Sequence, residues 1–502
     1  MASVAFNNIP GNVLVPFWYA EINSGGTPFQ ADPRAPLIGQ KLASGTAAVG
    51  QVIGPIQNER EADAFFGVGS MLSAMYRIAQ RAAPFQPIWA LPVAEPAGAY
   101  AAGSMTFTAP GVTGAAILWA LGRRIVFQVN AADDAATEAA TAAAAINAAN
   151  LPYTAAVDGT TPAKVNITSR HKGAMFNGQE MTFATDEANV LNASNVAVVA
   201  LTGGSGSPDL AAPLANLGDQ EFDFLASPYS DTSALNAVRD FLDDQSGRWS
   251  PYQQLYGHYF TAQFGTLSGL VTFGNGRNDR HVTVIGGQRS PTPEWEIAAS
   301  AAGMACAHLG TAPEVSRPLQ SLVLPGVLPP RDRSLWWDTN DRQALYADGI
   351  AATKVRADGL VTIDRMVTTY QTADSGVPDS TFRDVETMFQ LMYVARYFRT
   401  AVSNKHARQA LADDNPFNLP QIATPKSVRD TLVHAYNDLV ALGVCENAGL
   451  FAQYLVVERD PLDANRLNAY LPVDVVNQLR VFAANITAFL QYGTPSGTAA
   501  VQ

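Results

Sequence analysis

The hydrophobic period of this chain changes twice, and those changes restrict its architecture more than any other feature. From Ala97 to about Gly206 apolar residues alternate over short stretches, "SMTFTA", "AAILWALGRRIVFQV", "AKVNITSR" and "GQEMTFAT", each bounded by Gly, Pro or Asn. That is the period-two pattern of strands. Upstream, Phe65, Met71, Leu72, Met75 and Ile78 fall at helical spacing, the pattern stops near Pro84, and "PIWALPV" reads as a buried strand. Downstream of the Gly/Ser/Pro stretch "TGGSGSPDL" the strand–helix texture resumes. A β-rich stretch between two α/β stretches predicts an insertion into an α/β core. Its one helix, "DDAATEAATAAAAINAAN", opens with Asp133 and Asp134, where carboxylates suit the positive helix end, and its alanines allow close packing on a sheet.

After the insertion the α/β texture resumes in "FDFLASPYSD", with a helix over "TSALNAVRDFLDDQSGR", strands in "YGHYFTAQFG" and "RHVTVIGG", and a helix over "TPEWEIAASAAGMACAHLG". "SLVLPGVLPP" and "DGLVTIDRMVTTYQ" read as extended, and two amphipathic helices start at Ser380 and Pro425. Strands are expected in "FAQYLVVERD" and "VVNQLRVFAANITAFLQY"; in the second, Phe482, Ala484, Ile486, Ala488 and Leu490 share one face, as in a half-buried strand. Near the other end, "NVLVPFWYA" gathers Val13, Leu14, Val15, Phe17, Trp18 and Tyr19 beside a terminus, where chains usually fray.

Length and composition bound the function. At 502 residues several domains are expected. Charged residues make up 15% of the chain, well under the usual share, which leaves broad surface free to meet other protein. A net charge of −12 argues against nucleic-acid partners and against binding an acidic membrane surface. Cys306 and Cys445 lie far apart in helix-like contexts, which speaks against a metal cluster or a disulfide framework and for a reducing compartment. The start "MASVAFNNIPGNVLV" has no basic segment ahead of its apolar part, so synthesis in the cytoplasm is expected. The uncharged run "AAGSMTFTAPGVTGAAILWALG" is broken by Pro110 and alternates, which excludes it as a membrane helix.

No motif supplies reaction chemistry. "FGVGSM" and "GNGRND" lack the full G-x-G-x-x-G pattern, and "TGGSGS" is not a nucleophile elbow. His171, His258, His281, His308, His406 and His434 are scattered without metal-ligand spacing. A hydrolase would need a serine such as Ser227 or Ser290 to meet a His and an Asp in space. One charge pattern stands out: Arg396, Arg399, Lys405 and Arg408 make a basic stretch in an acidic chain, with Arg396 and Arg399 on one helix face. It suits either a solvated face near the negative helix end or a docking surface for an acidic protein.

The segments "DAFFGVGSMLSAMYRIAQRAAPFQPIWALPV", "SRPLQSLVLPGVLPP", "LYADGIAATKVRADGLVTIDRMVTTYQ" through "MYVARYFR", and "NRLNAYLPVDVVNQLRVFAANITAFLQY" resemble, in order, the Mu-type contractile tail sheath proteins. The most specific are Arg317–Gly326, "RPLQSLVLPG", and Arg365–Gln371, "RMVTTYQ". One departure is Asp364, where the family pattern has Glu before the arginine.

The resemblance implies a noncatalytic polymer subunit, without cofactor or metal, that stacks in hexameric rings around an inner tail tube. The array is built extended and then contracts to drive the tube through a host envelope. It implies other copies of the chain, the tail tube protein, and baseplate and tail terminator proteins as partners. The place of action implied is the virion, after assembly in the host cytoplasm. It also implies a subtilisin-like α/β core without a triad, an inserted β-rich domain, an α+β C-terminal domain and extended linker arms. The expected divisions are an arm over 1–20, core over 21–96, insertion over 97–206, core over 207–365, C-terminal polymerisation domain over 366–484 and arm over 485–502. Strand exchange with neighbours would then use Val4, Phe6, Val13 and Val15 at one end and Phe482, Ile486, Phe489 and Leu490 at the other. Phe17–Tyr19 would anchor the first arm to its own subunit, and Arg396, Arg399, Lys405 and Arg408 are the candidates for facing the tube. The competing readings are a hydrolase on the same core and a secreted surface-layer or adhesin protein.

Overall fold

The computed structural model describes residues 33–109, 111–185 and 188–488. β1 (Ala35–Gln40) is buried at every position, the continuous burial of a parallel strand covered on both faces. α1 (Glu59–Phe66) and α2 (Met71–Ala82) follow, started by Asn58 and Ser70, whose side chains accept the N–H groups of Glu61 and Ser73. β2 (Ile88–Val93) then pairs parallel with β1.

From β2 the chain leaves the core. β3 (Tyr100–Phe107), β4 (Gly114–Ala120), β5 (Arg123–Val129), α3 (Ala135–Ala148), β6 (Tyr153–Val157), β7 (Lys164–Lys172), β8 (Met181–Phe183) and β9 (Val196–Thr202) build two antiparallel sheets, ordered β6-β7-β3-β9 and β5-β4-β8. The β4–β5 hairpin turns at Leu121 and Gly122, with φ of +49° and +68°, so both central residues adopt the left-handed backbone that matches strand twist. α3 starts at Asp134, whose side chain accepts the Thr137 N–H, and buries Ala139, Ala142, Ala143 and Ile146.

The chain returns through α4 (Ala211–Ala215), β10 (Phe224–Ala226), α5 (Thr232–Leu242), β11 (His258–Phe264), α6 (Leu267–Asn275), β12 (Val282–Gly287), α7 (Glu294–Leu309), α8 (Thr339–Ala347), β13 (Ala351–Val355) and β14 (Val361–Arg365). These complete a seven-stranded sheet ordered β14-β13-β12-β11-β10-β1-β2, parallel except for the β13–β14 pair. The two antiparallel sheets thus hang from edge strand β2, and the next strand of the core, β10, enters beside β1. α7 is apolar and buried on nearly every side, as a helix wedged between α2 and the sheet must be. Gly303 permits that approach: a Cβ there would lie 2.8 Å from the Cβ of Ala82.

The last segment holds α9 (Val385–His406), β15 (Ala410–Leu411), β16 (Ile422–Ala423), α10 (Pro425–Ala441), α11 (Ala448–Tyr454), β17 (Val456–Arg459) and β18 (Leu467–Tyr470). Phe389 of α9 stacks on Phe224 of β10 at 4.5 Å, and Tyr436 of α10 stacks on Phe451 of α11 at 3.8 Å. Two expectations are corrected. α9 starts at Val385, not Ser380, because Thr381 and Phe382 form a turn closed by the Arg383 N–H on the Ser380 carbonyl, the Thr368 N–H takes up the Arg383 carbonyl, and Val367 bridges Asp384. "FAQYLVVERD" is the end of α11 followed by β17, since Phe451 turns inward as a helix residue.

Candidate functional site

The basic stretch of α9 does not form one surface. Arg396 points into the protein, with only 5% of its side chain exposed. Its Nη1 and Nη2 donate to both carboxylate oxygens of Asp223, each at 2.7 Å, and Nη2 also donates to the Leu255 carbonyl at 2.9 Å. The guanidinium lies 5.3 Å from the centre of the Tyr256 ring. Arg399, one turn on, donates to Glu221 at 2.9 Å and to the Gln254 carbonyl at 3.1 Å. The face shared by Arg396 and Arg399 is covered by the segment entering β10 and the loop entering β11. Placing Arg396 on a tube-facing surface is therefore wrong: it is an internal tie between α9 and the core sheet. Lys405 and Arg408, beyond that contact, are exposed.

The chain ends are the second candidate. Val4, Phe6, Val13, Val15, Phe489 and Leu490, together with Phe17–Tyr19, lie outside the described residues. Phe482 and Ile486 are 84% and 87% exposed, and residues 481–488 are exposed on both faces with no regular structure. The half-buried strand expected there is absent from the described part: residues 481–488 pair with no strand among the described residues. The segment ahead of it is tied down: Val475 bridges Cys445, and the Val476 N–H donates to the Val444 carbonyl. Nearby, β17 and β18 form a two-stranded antiparallel sheet, and Val456 and Tyr470 at its end are 50% and 65% exposed.

The polar groups in the interior act as joints. His171 accepts the Met71 N–H through Nε2 and contacts Glu95 at 2.6 Å through Nδ1, which ties β7 to the start of α2. Glu95 also accepts from Gln40 and from the Lys172 backbone. His258 pairs with Thr283, and His281 with Asp244. Ser290 donates to the Leu328 carbonyl, and the Ser227 hydroxyl is buried near the Tyr259 hydroxyl. Neither serine meets a histidine, so the two candidate nucleophiles do not assemble with a base. Among the described residues no group of three or more His, Cys, Asp or Glu is placed to hold a metal ion.

A cleft of about 1090 Å³ opens at the carboxyl ends of β11 and β12, between the core and the inserted strands. Gln179 and Glu180 face Arg331 and Glu294 across it. Arg331 pairs with Glu180 at 3.0 Å, and Gln179 donates to Glu294 at 3.2 Å. Burial pushes the Glu294 carboxyl up to about 7. These contacts fasten the inserted sheets to the core.

Comparison with known proteins identifies what this body belongs to. Residues 203–369 match the phage tail sheath protein central domain, and residues 377–489 match the phage tail sheath C-terminal domain. The Mu-like prophage FluMu tail sheath protein of Haemophilus influenzae is 30% identical over 499 residues, covering 97% of this chain and all of the relative. Similar solved structures include the sheath tail protein of Desulfitobacterium hafniense (14% identity, 91% of this chain and 100% of that one, TM-score 0.46). Another is the contracted helical sheath of the anti-feeding prophage (14% identity, 95% and 99% covered, TM-score 0.48). The chain belongs to the phage tail sheath family, in its Mu-type branch. It is a structural subunit of a contractile tail sheath.

Proposed function

We propose that the subunit polymerises as stacked hexameric rings around an inner tail tube, and that contraction of this array drives the tube through a host envelope. Neighbours are linked by strands donated from the chain ends to the sheet formed by β17 and β18. The observation that carries this reading is the segment 479–486, in which Leu479, Val481, Phe482 and Ile486 are each at least 76% exposed, in a chain that also has the two-stranded sheet of β17 and β18. A strand added to such an edge gains main-chain hydrogen bonds and covers alternate side chains, which removes the exposure. Different patches meeting on successive copies make heterologous contacts, and those generate open helical tubes.

The division into arms over 1–20 and 485–502, core over 21–96 and 207–365, insertion over 97–206 and polymerisation domain over 366–484 belongs to the same proposal, as does a subtilisin-like fold of the core without a triad. Baseplate, tail terminator and tube proteins are the partners it requires. Lys405 and Arg408, the exposed remainder of the basic stretch, are the residues left for an acidic tube surface. Assembly in the host cytoplasm precedes incorporation into the virion. No cofactor is needed, because an extended array held behind a kinetic barrier releases its own conformational free energy when triggered. Deleting residues 485–502 should leave a folded, soluble subunit that forms no tubes by electron microscopy. Normal tubes from that variant would refute the linking role of the arm.

A further inference from the structure

Two stretches that mark the family in the sequence, "RPLQSLVLPG" and "RMVTTYQ", meet at one point in space, and the C-terminal segment ends its docking there. Arg365, which closes β14, donates through Nε and Nη2 to the two carboxylate oxygens of Asp384, each at 2.8 Å. Asp384 is the residue before α9, yet its side chain does not cap that helix, since it is committed to arginines. Arg480 donates through Nη2 to Asp384 at 3.1 Å and to Glu386 at 2.7 Å. The other oxygen of Glu386 accepts the Leu319 N–H at 2.8 Å. Glu386 is fully buried and its carboxyl is raised by that burial, with Arg480 as the main opposing charge. Among the described residues the Nε and Nη1 of Arg480 have no partner, and Asp384 and Glu386 are the acceptors of its guanidinium.

Up to Arg480 the tail is tied to the body. Gln390 donates to the Val476 carbonyl at 2.8 Å, and Gln478 donates to the Gln390 side chain at 3.0 Å. Directly after Arg480, residues 481–488 are exposed.

We propose that Arg480, held by Asp384 and Glu386, is the positioning residue that fixes where the C-terminal arm leaves the subunit and passes a pull on the arm into β14 and α9. The proposal rests on the arm reading above. A buried ion pair suits this task because its geometry is directional: the arm root holds one register where apolar contacts alone would let it slip.

The test uses the full-length chain with Arg480→Ala, Arg480→Lys and Glu386→Gln; glutamine keeps an acceptor for the Leu319 N–H. Hydrogen exchange is followed at the Val476 amide and in α9, and tubes are measured by electron microscopy before and after shear. Arg480→Ala and Glu386→Gln should speed exchange at Val476 on the order of tenfold to a hundredfold. They should leave the α9 interior unchanged and give tubes that fragment under shear, and Arg480→Lys should recover part of both. Wild-type exchange at Val476, or fast exchange with shear-resistant tubes, would overturn the proposal. If Arg480→Ala does not fold, Glu386→Gln carries the same two readouts. If the 485–502 deletion polymerises normally, the arm reading has failed. If that deletion abolishes tubes while Arg480→Ala assembles and survives shear, only the role of Arg480 is refuted.

Discussion

Replacing Arg396 with alanine tests most directly where the basic helix points. The substitution removes two charge-assisted hydrogen bonds of 2.7 Å to Asp223, a third bond of 2.9 Å to the Leu255 carbonyl and the contact with the Tyr256 ring. Asp223 is left with 8% of its side chain exposed and no cation on its carboxylate oxygens. Breaking one side of a buried pair costs about 3–5 kcal/mol, most of it the stranded charge. Exposed pairs cost about 0–1 kcal/mol, so the two placements of the helix face differ well beyond error. Trp249 lies against Tyr256, with ring centres 5.0 Å apart, so tryptophan fluorescence during urea unfolding reports on this region. With a slope of about 2–3 kcal/mol/M the midpoint of that transition should fall by about 1–2 M. Arg396→Met combined with Asp223→Leu should recover most of the loss, because it leaves no unpaired charge. Lys405→Ala and Arg408→Ala should each stay within about 0.5 kcal/mol of the parent. A loss below about 1 kcal/mol for Arg396→Ala would place the guanidinium in water and refute the internal tie.

Two further outcomes follow from buried ionisable groups. Glu294 titrates near 7 when folded, above its ordinary 4.5. Between these values the folded state keeps a proton that the unfolded chain has released, so stability falls as pH rises through the window and stays lower above it. Glu294→Gln, which preserves an acceptor for Gln179, should therefore match the parent near pH 4.5 and exceed it by about 2–3 kcal/mol at pH 8 in denaturant titrations. A gap independent of pH would refute the assignment. Burial pushes the Cys445 thiol up to about 12, and the side chain is enclosed. Alkylation by iodoacetamide at pH 8 should thus spare Cys445 in the folded chain and reach it readily in urea, as read by mass spectrometry; equal rates would refute it.

Local pattern made much of this fold legible. The helical spacing of Met71, Leu72, Met75 and Ile78 is the buried side of α2, and the uniformly apolar "EIAASAAGMACA" is the all-round burial of α7. The four alternating stretches between Ala97 and Gly206 contain strands β3, β4, β5, β7 and β8, because period two is a property of each strand alone, while β6 and β9 lie outside them. α6 was hidden: "LSGLVTFGN" is short and holds two glycines, and it forms because Gly274 lets it sit under the Asp348 carbonyl, where a Cβ would come within 2.0 Å.

The sequence by itself determined which residues seek burial and with what period, that reaction motifs are lacking, and which family the ordered segments resemble. Tertiary structure alone decided what covers each face. Arg396 and Arg399 read as a basic surface until Asp223 and Glu221, some 170 residues earlier in the chain, close over them. The alternation from Phe482 to Leu490 reads as a half-buried strand, yet a strand needs a ladder partner, and among the described residues none pairs with 481–488. Arg365, Asp384, Glu386 and Arg480 carry no joint signal in sequence, because charges become a clamp only when folding brings them within hydrogen-bond reach and strips their water. Periodicity is encoded residue by residue; pairing across a long chain is set by the packing of whole elements.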